Sequence, residues 1–274
     1  MAPITRLAFV AMLFSAAVVN AVPFVAPSDP NGPAPALTQT DSMAAAPESS
    51  HPEVFKRAGV NVIERCTKAG TVAITFDDGP FQYTNGLLDI LKKKKVKATF
   101  FVNGNNNGKI SSYKAVVRRA YKEGHQIASH TWSHQDLATL SNKKVTDEMT
   151  KLDTAVKSII GVRPVYMRPP YGSTTPNTQN LLNKLGYTIV LWSQDTNDWR
   201  HVTDVGKSMK VYRDVLGKKG EIKKPGHIFL QHDIHKVTAT ILATQAIDFA
   251  LSKGYKVVTV GECLGKPKSS WYRS

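Results

Sequence analysis

The stretch TVAITFDDGP occupies residues 71–80. Its β-branched and aromatic residues occupy consecutive positions, so both faces of the segment are apolar, as in a buried strand of a parallel sheet. Two carboxylates, Asp77 and Asp78, close the segment, and Gly79-Pro80 then turns the chain. Two acidic groups at an apolar strand end are costly to bury unless a cation compensates them. The stretch therefore predicts an α/β protein with chemistry at the carboxyl end of its strands.

Short β-branched and aromatic runs alternate with amphipathic runs along the rest of the chain. The predicted strands are residues 71–78, 97–103, 126–131, 165–170, 188–195, 227–233 and 255–260. The predicted helices are residues 85–95, 112–124, 144–160, 176–186, 203–217 and 238–253. Strict alternation indicates parallel strands joined by right-handed crossovers. We predict a distorted (β/α)7 barrel of parallel strands with outer helices, and an open doubly wound sheet is the alternative.

The first 57 residues lack the pattern of the rest. A basic start, an apolar run over 7–19 and a small residue at Ala21 predict a signal peptide over 1–21, because the run is too short to span a membrane. Residues 22–57 are rich in Pro, Ala and Ser and end on a dibasic pair, which predicts a linker or pro-segment. The catalytic domain is expected over 58–274.

Net charge and cysteine content limit the partners and the disulfides that the protein can have. The formal net charge of +15 leaves nucleic acid open as a partner, but no phosphate loop, zinc-finger spacing or basic-aromatic module accompanies it. We therefore predict no nucleic-acid partner and no membrane span. The only two cysteines, Cys66 and Cys263, are expected to form a disulfide if the chain is secreted.

Polar residues with catalytic potential recur where the predicted strands end. In either architecture the carboxyl ends of parallel strands meet at one edge, so these side chains are expected to converge. The set comprises Asp77, Asp78, His130, Arg168, Asp195, His232 and Asp233.

Two histidines have the spacing of metal ligands. His130 and His134 are four residues apart, and one helical turn would place both imidazoles on the same face. A histidine pair alone is more often structural. Together with a strand-end aspartate it predicts a His-His-carboxylate site for a divalent metal, for which Zn²⁺ is best suited and Co²⁺ or other divalent ions are possible.

Five segments, taken in order, resemble the motifs of a known enzyme family. They are residues 75–80 (TFDDGP), 129–134 (SHTWSH), 168–172 (RPPYG), 195–199 (DTNDW) and 229–232 (FLQH). The chain is thereby similar to the polysaccharide deacetylase family, the NodB-homology enzymes of carbohydrate esterase family 4. The resemblance spans about residues 62–265, and the positions of Cys66 and Cys263 resemble those of secreted fungal chitin deacetylases.

The resemblance implies a role for each polar group at the strand ends. Asp78, His130 and His134 are the implied metal ligands. Asp77 is the implied general base that deprotonates the attacking water, and Arg168 orients it. His232 is the implied general acid that protonates the leaving sugar nitrogen. A carboxylate of the fourth motif supports His232; Asp195 and Asp198 both remain open, and we favour Asp198.

The same resemblance implies the residues that hold the substrate. Tyr171 is expected to donate its backbone N–H to the oxyanion, because the two prolines before it have no N–H to offer. Pro170 is placed with the substrate-binding residues, although a rigid strand terminator is an equally good reading of it. Tyr171, Trp199 and Leu230 are expected to wall a groove that packs against sugar rings.

These residues predict a secreted, metal-dependent hydrolase. We expect a chitin deacetylase that acts on the N-acetyl groups of chitin or chito-oligosaccharides, and that is monomeric and extracellular or in the cell wall. Acetylxylan or peptidoglycan is the alternative substrate on the same scaffold. A chitin-binding protein without turnover is the alternative of another class, although the intact set of catalytic residues argues against it.

Overall fold

A computed structural model describes residues 62–274. The strands in this part of the chain are β1 (Val62–Ile63), β2 (Arg65–Ala69), β3 (Thr71–Asp77), β4 (Thr99–Val102), β5 (Gln126–Ser129), β6 (Arg163–Pro164), β7 (Tyr166–Met167), β8 (Thr188–Val190), β9 (Gln194–Asp195), β10 (Pro225–His232), β11 (Lys256–Val257) and β12 (Tyr272–Arg273). The helices are α1 (Thr84–Lys93), α2 (Lys114–Lys122), α3 (Asn142–Ile160), α4 (Pro176–Lys184), α5 (Val205–Leu216), α6 (Ala243–Ser252) and α7 (Val260–Cys263). A π-helical turn over Thr238–Leu242 leads into α6.

The main sheet curls into a nearly closed barrel. Its strands follow the order β1-β8-β7-β5-β4-β3-β10-β2, with β11 pairing β3 and β9 pairing β10. The segment 188–195 completes the ring, because its first part pairs with β7 and its last part pairs with β10. The predicted distorted α/β barrel with outer helices is therefore confirmed.

Two parts of the strand prediction were incomplete. The short β2 pairs antiparallel with β10, and β12 pairs antiparallel with β6 in a small separate sheet, so the pairing is not strictly parallel. Four of the five residues of β2 are exposed, so that strand lacks the apolar pattern of a buried parallel strand. The strand expected over 165–170 is only Tyr166–Met167, because the prolines that follow cannot continue a ladder.

Local sequence accounts for the bounds of the longest helix. Ser141 caps the start of α3, where its hydroxyl accepts the backbone N–H of Lys144. Gly161 ends the helix in the left-handed conformation (φ 84°), which glycine adopts without a steric cost. Val145, Met149 and Leu152 are among the buried residues, and their three- and four-residue spacing defines the face that packs on the sheet.

Alternation along the strands divides the core into two layers. Even-numbered residues of β3, such as Val72, Ile74 and Phe76, pack outward against the helices. Ala73 faces into the barrel, where it packs with residues from other strands such as Phe101. The same alternation turns Thr75 and Asp77 inward above Ala73. The buried end of β3 therefore delivers a carboxylate to the inside of the barrel mouth.

Cys66 and Cys263 form a disulfide that ties the first strands to the last helix. Their Cα atoms are 5.0 Å apart, although 197 residues separate them in sequence. Trp271 supports the same end of the barrel, since its buried indole lies where a side chain at Gly261 would stand. The amino and carboxyl ends of the described region are thus joined covalently and by packing.

Removing this disulfide is expected to cost stability. A disulfide that closes so long a loop restricts the unfolded chain and raises the free energy of unfolding by about 5 kcal/mol. For a domain of this size, loss of the disulfide should therefore lower Tm by roughly 10 °C or more. Calorimetry of a Cys66→Ala, Cys263→Ala double variant measures the effect. Reductant should lower the Tm of the wild type and leave that of the variant unchanged; equal Tm values for both proteins would contradict the prediction.

Several sequence-based expectations fall outside the described residues. The signal peptide (1–21) and the linker (22–57) belong to the segment before residue 62, so these expectations and the domain boundary at residue 58 stay predictions. Within residues 62–274, no helix combines the length and apolar character needed to cross a bilayer.

Candidate active site

Polar side chains from five strand ends meet at one mouth of the barrel. Asp77 ends β3 and lies in register with His232, which ends β10. His130 follows β5, Arg168 follows β7, and Asp195 ends β9. The structure therefore brings together the strand-end residues that were expected to converge, as the topology of parallel strands requires.

Asp78, His130 and His134 form a cluster of metal-ligating side chains. One ligand atom from each lies within 4.8 Å of the others. The Nε2 atom of His134 is 3.2 Å from Oδ1 of Asp78, and Nε2 of His130 is 3.6 Å from the same oxygen. Two imidazole nitrogens and a carboxylate oxygen thus face one point.

The two histidines do not reach this point through a helical turn. Residues 130–134 form an irregular loop in which Thr131 (φ 71°) and His134 (φ 58°) adopt left-handed backbone conformations. The prediction of a helical turn was wrong, because two reversals of φ bring the rings together instead. Their centroids are 4.9 Å apart.

Asp78 joins the cluster because the chain turns at that residue. Successive strand residues face opposite sides, so Asp77 and Asp78 could not serve one site in a regular strand. Asp78 has a φ of 73°, which ends the strand geometry one residue before the turn at Gly79-Pro80. Several non-glycine residues in the described chain have positive φ, and four of them lie at the mouth: Asp78, Thr131, His134 and Tyr171. Strained backbone conformations of this kind are often found at functional sites.

The protonation states of His130 and His134 suit the binding of a divalent cation. Nδ1 of His130 lies 2.7 Å from the carbonyl oxygen of Arg168, so this nitrogen carries the proton and Nε2 keeps a lone pair directed at the cluster. Burial lowers the pKa of His130 far below its usual value, and the charge of His134 lowers it further. Burial also lowers the pKa of His134, although Asp78 opposes the shift. Both rings are neutral near pH 7, so the donor set fits a metal such as Zn²⁺.

Asp77 lies beside the cluster and is held by Arg168. Nη1 of Arg168 donates to Oδ1 of Asp77 at 2.7 Å, while Oδ2 of Asp77 is 3.7 Å from Nε2 of His130. Burial raises the pKa of Asp77 to about 6, against the lowering effect of Arg168. One carboxylate oxygen is therefore fixed, and the other faces the mouth.

Arg168 is itself fully buried, with its donors satisfied from several sides. It donates to the hydroxyl of Thr75 at 2.7 Å and to the carbonyl oxygens of Val190 and Leu191, at 3.2 and 2.8 Å. The guanidinium also lies 4.1 Å from the ring centroid of Phe101. Such a guanidinium cannot change rotamer freely, so it holds Asp77 in one orientation.

His232, at the end of the neighbouring strand β10, is paired with Asp198. Its Nδ1–H donates to Oδ1 of Asp198 at 2.9 Å, and its backbone N–H donates to Oδ2 at 2.8 Å. Burial works to lower the pKa of His232, but the charge and hydrogen bond of Asp198, with Asp77 and Asp78, raise it to about 9. His232 is thus a protonated imidazole near neutral pH.

Asp195, the other fourth-motif carboxylate, makes different contacts. Its Oδ1 accepts the backbone N–H of Asn197 at 2.7 Å, which stabilises the turn that carries Asp198. Its charge also favours the protonated form of Arg168. The carboxylate in contact with the ring of His232 is therefore Asp198.

The residues expected to hold the substrate differ in exposure. Tyr171 and Trp199 are 68% and 45% exposed, and the Tyr171 ring lies 4.8 Å from that of His134. Leu230 is buried within β10, and Pro170 is buried at the start of the turn. Of these four, the two aromatic rings are therefore the side chains that a ligand at the mouth can reach broadly.

Other residues contribute to the site although the sequence alone assigned them no role in it. Thr75 holds Arg168, and Thr238 donates to Oδ2 of Asp198 at 2.9 Å. Asn103 donates to the carbonyl of Thr131 at 3.0 Å, and the buried Asp233 accepts from Thr84. Thr75 could have been identified, since it is two residues before Asp77 on the same face of the strand. The other three depend on tertiary contacts.

Comparison with known proteins gives one consistent result. A polysaccharide deacetylase family model matches residues 64–190. A chitin deacetylase of Pestalotiopsis sp is 46% identical over 214 residues, which cover 78% of this chain and 70% of the relative. A probable peptidoglycan-N-acetylglucosamine deacetylase of Arthroderma benhamiae is 47% identical over 216 residues, covering 78% of this chain and 48% of that protein.

A solved structure agrees in fold. The chitin deacetylase of Colletotrichum lindemuthianum superposes with a TM-score of 0.74 at 41% identity, covering 78% of this chain and 96% of that one. Identity at this level over nearly the whole described region, together with the arrangement of the mouth, settles the family. The chain belongs to the polysaccharide deacetylase family and is a hydrolase that acts on amide bonds.

Proposed function

We propose that this protein is a secreted, metal-dependent chitin deacetylase that hydrolyses N-acetyl groups of N-acetylglucosamine units, giving chitosan and acetate. The proposal rests on one observation: a carboxylate suited to accept a proton and an imidazole suited to donate one lie at the same mouth of the barrel. Oδ1 of Asp77 is engaged by Arg168 and Oδ2 is not, Asp198 favours the protonated form of His232 on the neighbouring strand, and the cluster of Asp78, His130 and His134 lies at the same mouth.

Asp78, His130 and His134 would hold the metal, and Zn²⁺ is the ion that two imidazoles and a carboxylate match best. When bound, a divalent cation supplies a Lewis acid that polarises a carbonyl and lowers the pKa of water. The carbonyl oxygen of Arg168 fixes the tautomer of His130, so that its Nε2 is the ligating atom.

Asp77 acts as the general base. Its Oδ1 is engaged by Arg168, so Oδ2 is the atom that accepts the proton of the attacking water. The ion pair with the buried guanidinium holds Oδ1 of Asp77, whereas Oδ1 of Asp78 lies 3.2 Å from Nε2 of His134. The division of labour between the adjacent aspartates thus follows from their different partners.

His232 acts as the general acid. An amide nitrogen leaves poorly unless it is protonated, and imidazolium is the side chain best suited to this task near neutral pH. The hydrogen bond from Nδ1 to Asp198 leaves Nε2–H as the proton to be donated.

Tyr171 completes the site by offering a backbone donor. Gly172 and Ser173 donate their N–H groups back to the carbonyls of Pro169 and Pro170, whereas the Tyr171 N–H makes no hydrogen bond to another described residue. A free N–H beside the cluster is suited to an oxyanion. The exposed rings of Tyr171 and Trp199 offer apolar faces to sugar rings.

The pH profile of kcat/KM should depend on Asp198. Activity requires protonated His232, so the alkaline limb follows the pKa of this imidazole, which the charge and hydrogen bond of Asp198 raise. Asp198→Asn removes a negative charge that favours imidazolium, so the limb should move to lower pH by about 1 to 3 pH units. The control is Asp204→Asn, the same change at an exposed helix cap. An unmoved alkaline limb in Asp198→Asn would contradict this account of the acid.

Chitin is proposed as the substrate because relatives named chitin deacetylase match over most of the described chain. Peptidoglycan stays the second candidate, since the Arthroderma relative carries that name at similar identity, and acetylxylan stays the third. Acetate release from chitin oligomers, peptidoglycan fragments and acetylxylan decides between them. Preferred turnover of chitin oligomers supports the proposal, preference for another polymer replaces the substrate, and binding without acetate release would mean a chitin-binding protein.

Secretion is proposed from two features. The amino-terminal pattern is that of a signal peptide, and disulfides such as Cys66–Cys263 persist in oxidising compartments. We expect the mature protein to be extracellular or in the cell wall and to be monomeric, which fractionation and light scattering of the secreted chain would measure.

A further inference from the structure

Glu148 is a buried carboxylate of α3 that the proposed chemistry does not use. It is 6% exposed. Its Oε2 accepts the backbone N–H of Ser133 at 2.7 Å, and its Oε1 accepts the hydroxyl of the same residue at 2.7 Å. Ser133 immediately precedes His134. One side chain of the helical layer therefore holds the loop that carries both histidines of the cluster.

The burial of this charge requires an explanation. Removing a carboxylate from water costs free energy that an opposite charge or hydrogen bonds must offset. The ion pairs found in residues 62–274 do not include Glu148. Its two hydrogen bonds both come from Ser133, so the compensation is directed entirely at the loop.

The loop needs such support because its backbone is strained. Thr131 and His134 have positive φ, and such a non-glycine conformation persists only where the surrounding contacts impose it. Asn103 binds the first half of the loop through the carbonyl of Thr131, and the hydroxyl of Thr131 accepts the N–H of His134 at 3.1 Å. Glu148 binds the second half, next to the ligand itself.

We propose that Glu148 is a positioning residue for metal binding. By fixing Ser133 through two hydrogen bonds, it keeps Nε2 of His134 directed at Asp78, at the observed 3.2 Å. Its charge adds to this effect, because the carboxylate contacts the residue next to His134 and an anion there favours binding of a cation. The inference rests on the metal site of the proposed function and adds a residue that governs its affinity.

The test measures metal affinity and does not depend on activity. Metal-stripped protein competes with a chelating dye for Zn²⁺, which gives the Kd of the wild type, Glu148→Ala, Glu148→Gln and Ser133→Ala. Glu148→Ala should bind Zn²⁺ about 10- to 100-fold more weakly, the range for loss of an outer-shell partner. Glu148→Gln keeps an acceptor for the Ser133 N–H but not the charge, so its Kd should lie between those of Glu148→Ala and the wild type.

Asp147→Ala is the matched control, since Asp147 is the preceding residue of α3, has a side chain that is 44% exposed, and pairs with Lys143. Its Kd for Zn²⁺ should equal that of the wild type. At saturating Zn²⁺, kcat of Glu148→Gln should return to near the wild-type value, because no reacting group has been removed.

A Kd within twofold of the wild type for the Glu148 variants would overturn the role of Glu148, even if their Tm falls, since that is the result of a purely structural contact. If Glu148→Ala does not fold, Glu148→Gln and Ser133→Ala decide by the same criterion. Failure of the wild type to bind Zn²⁺ would instead overturn the metal site of the proposed function, and this inference with it.

Discussion

Asp77→Asn is expected to lower kcat by about 10²- to 10⁴-fold, the contribution of a positioned general base. The amide that replaces the carboxylate cannot accept a proton from water, yet it occupies the same space against Arg168. Asp78, His130 and His134 are unchanged, so the variant should bind as much Zn²⁺ as the wild type. Acetate release together with metal analysis measures both quantities.

Asp78→Asn is the matched control, since it makes the same chemical change at the adjacent residue. It should lose Zn²⁺, because Oδ1 of Asp78 is the carboxylate oxygen that lies near Nε2 of both imidazoles, at 3.6 Å from His130 and 3.2 Å from His134. If Asp77→Asn loses the metal and Asp78→Asn keeps it, the roles of the two aspartates are interchanged. Asp77→Asn should also lower Tm, since it leaves a buried guanidinium without its anionic partner.

His232→Ala is expected to lower kcat on N-acetylglucosamine oligomers by about 10²- to 10⁴-fold. The amine cannot leave efficiently without the imidazolium that donates its proton. The loss should be much smaller on an activated ester such as 4-nitrophenyl acetate, whose leaving group departs without protonation. Parallel assays on the two substrates separate loss of the acid from general damage.

His235→Ala is a suitable control, because His235 follows the same strand end and its ring centroid is 6.1 Å from that of His232. It makes no contact with Asp198 of the kind that His232 makes, so kcat should change little. Equal losses on amide and ester substrates in His232→Ala would mean that His232 positions the substrate and does not donate the proton.

The sequence predicted the fold because its strong patterns coincide with buried strands. The stretch over 71–80 becomes β3, whose seven residues are all buried, and it positions Asp77 as expected. The ends of parallel strands meet at one edge by topology alone, so Asp77, His130, Arg168 and His232 could be placed together without coordinates. The antiparallel β2 was missed because its exposed residues carry no such pattern.

The sequence spacing of His130 and His134 predicted that their side chains meet, but it did not predict the backbone conformation that brings them together. His130 and His134 suggested a helical turn, whereas positive φ at Thr131 and His134 produces the contact. These conformations depend on Asn103 and Glu148, which are distant in sequence and belong to other elements. Residue pattern alone also left Asp195 and Asp198 undecided, because only the fold of the turn determines which carboxylate faces His232.

We propose that deacetylation requires a divalent metal held by Asp78, His130 and His134. This requirement is tested by acetate release from N-acetylglucosamine oligomers by the purified protein before chelation, after chelation and after stoichiometric addition of Zn²⁺, with Asp78→Ala measured in parallel. Chelation should abolish acetate release, Zn²⁺ should restore it in the wild type, and Zn²⁺ should not restore it in Asp78→Ala. Acetate release that resists chelation, or that persists in Asp78→Ala, would mean that this metal site is not required.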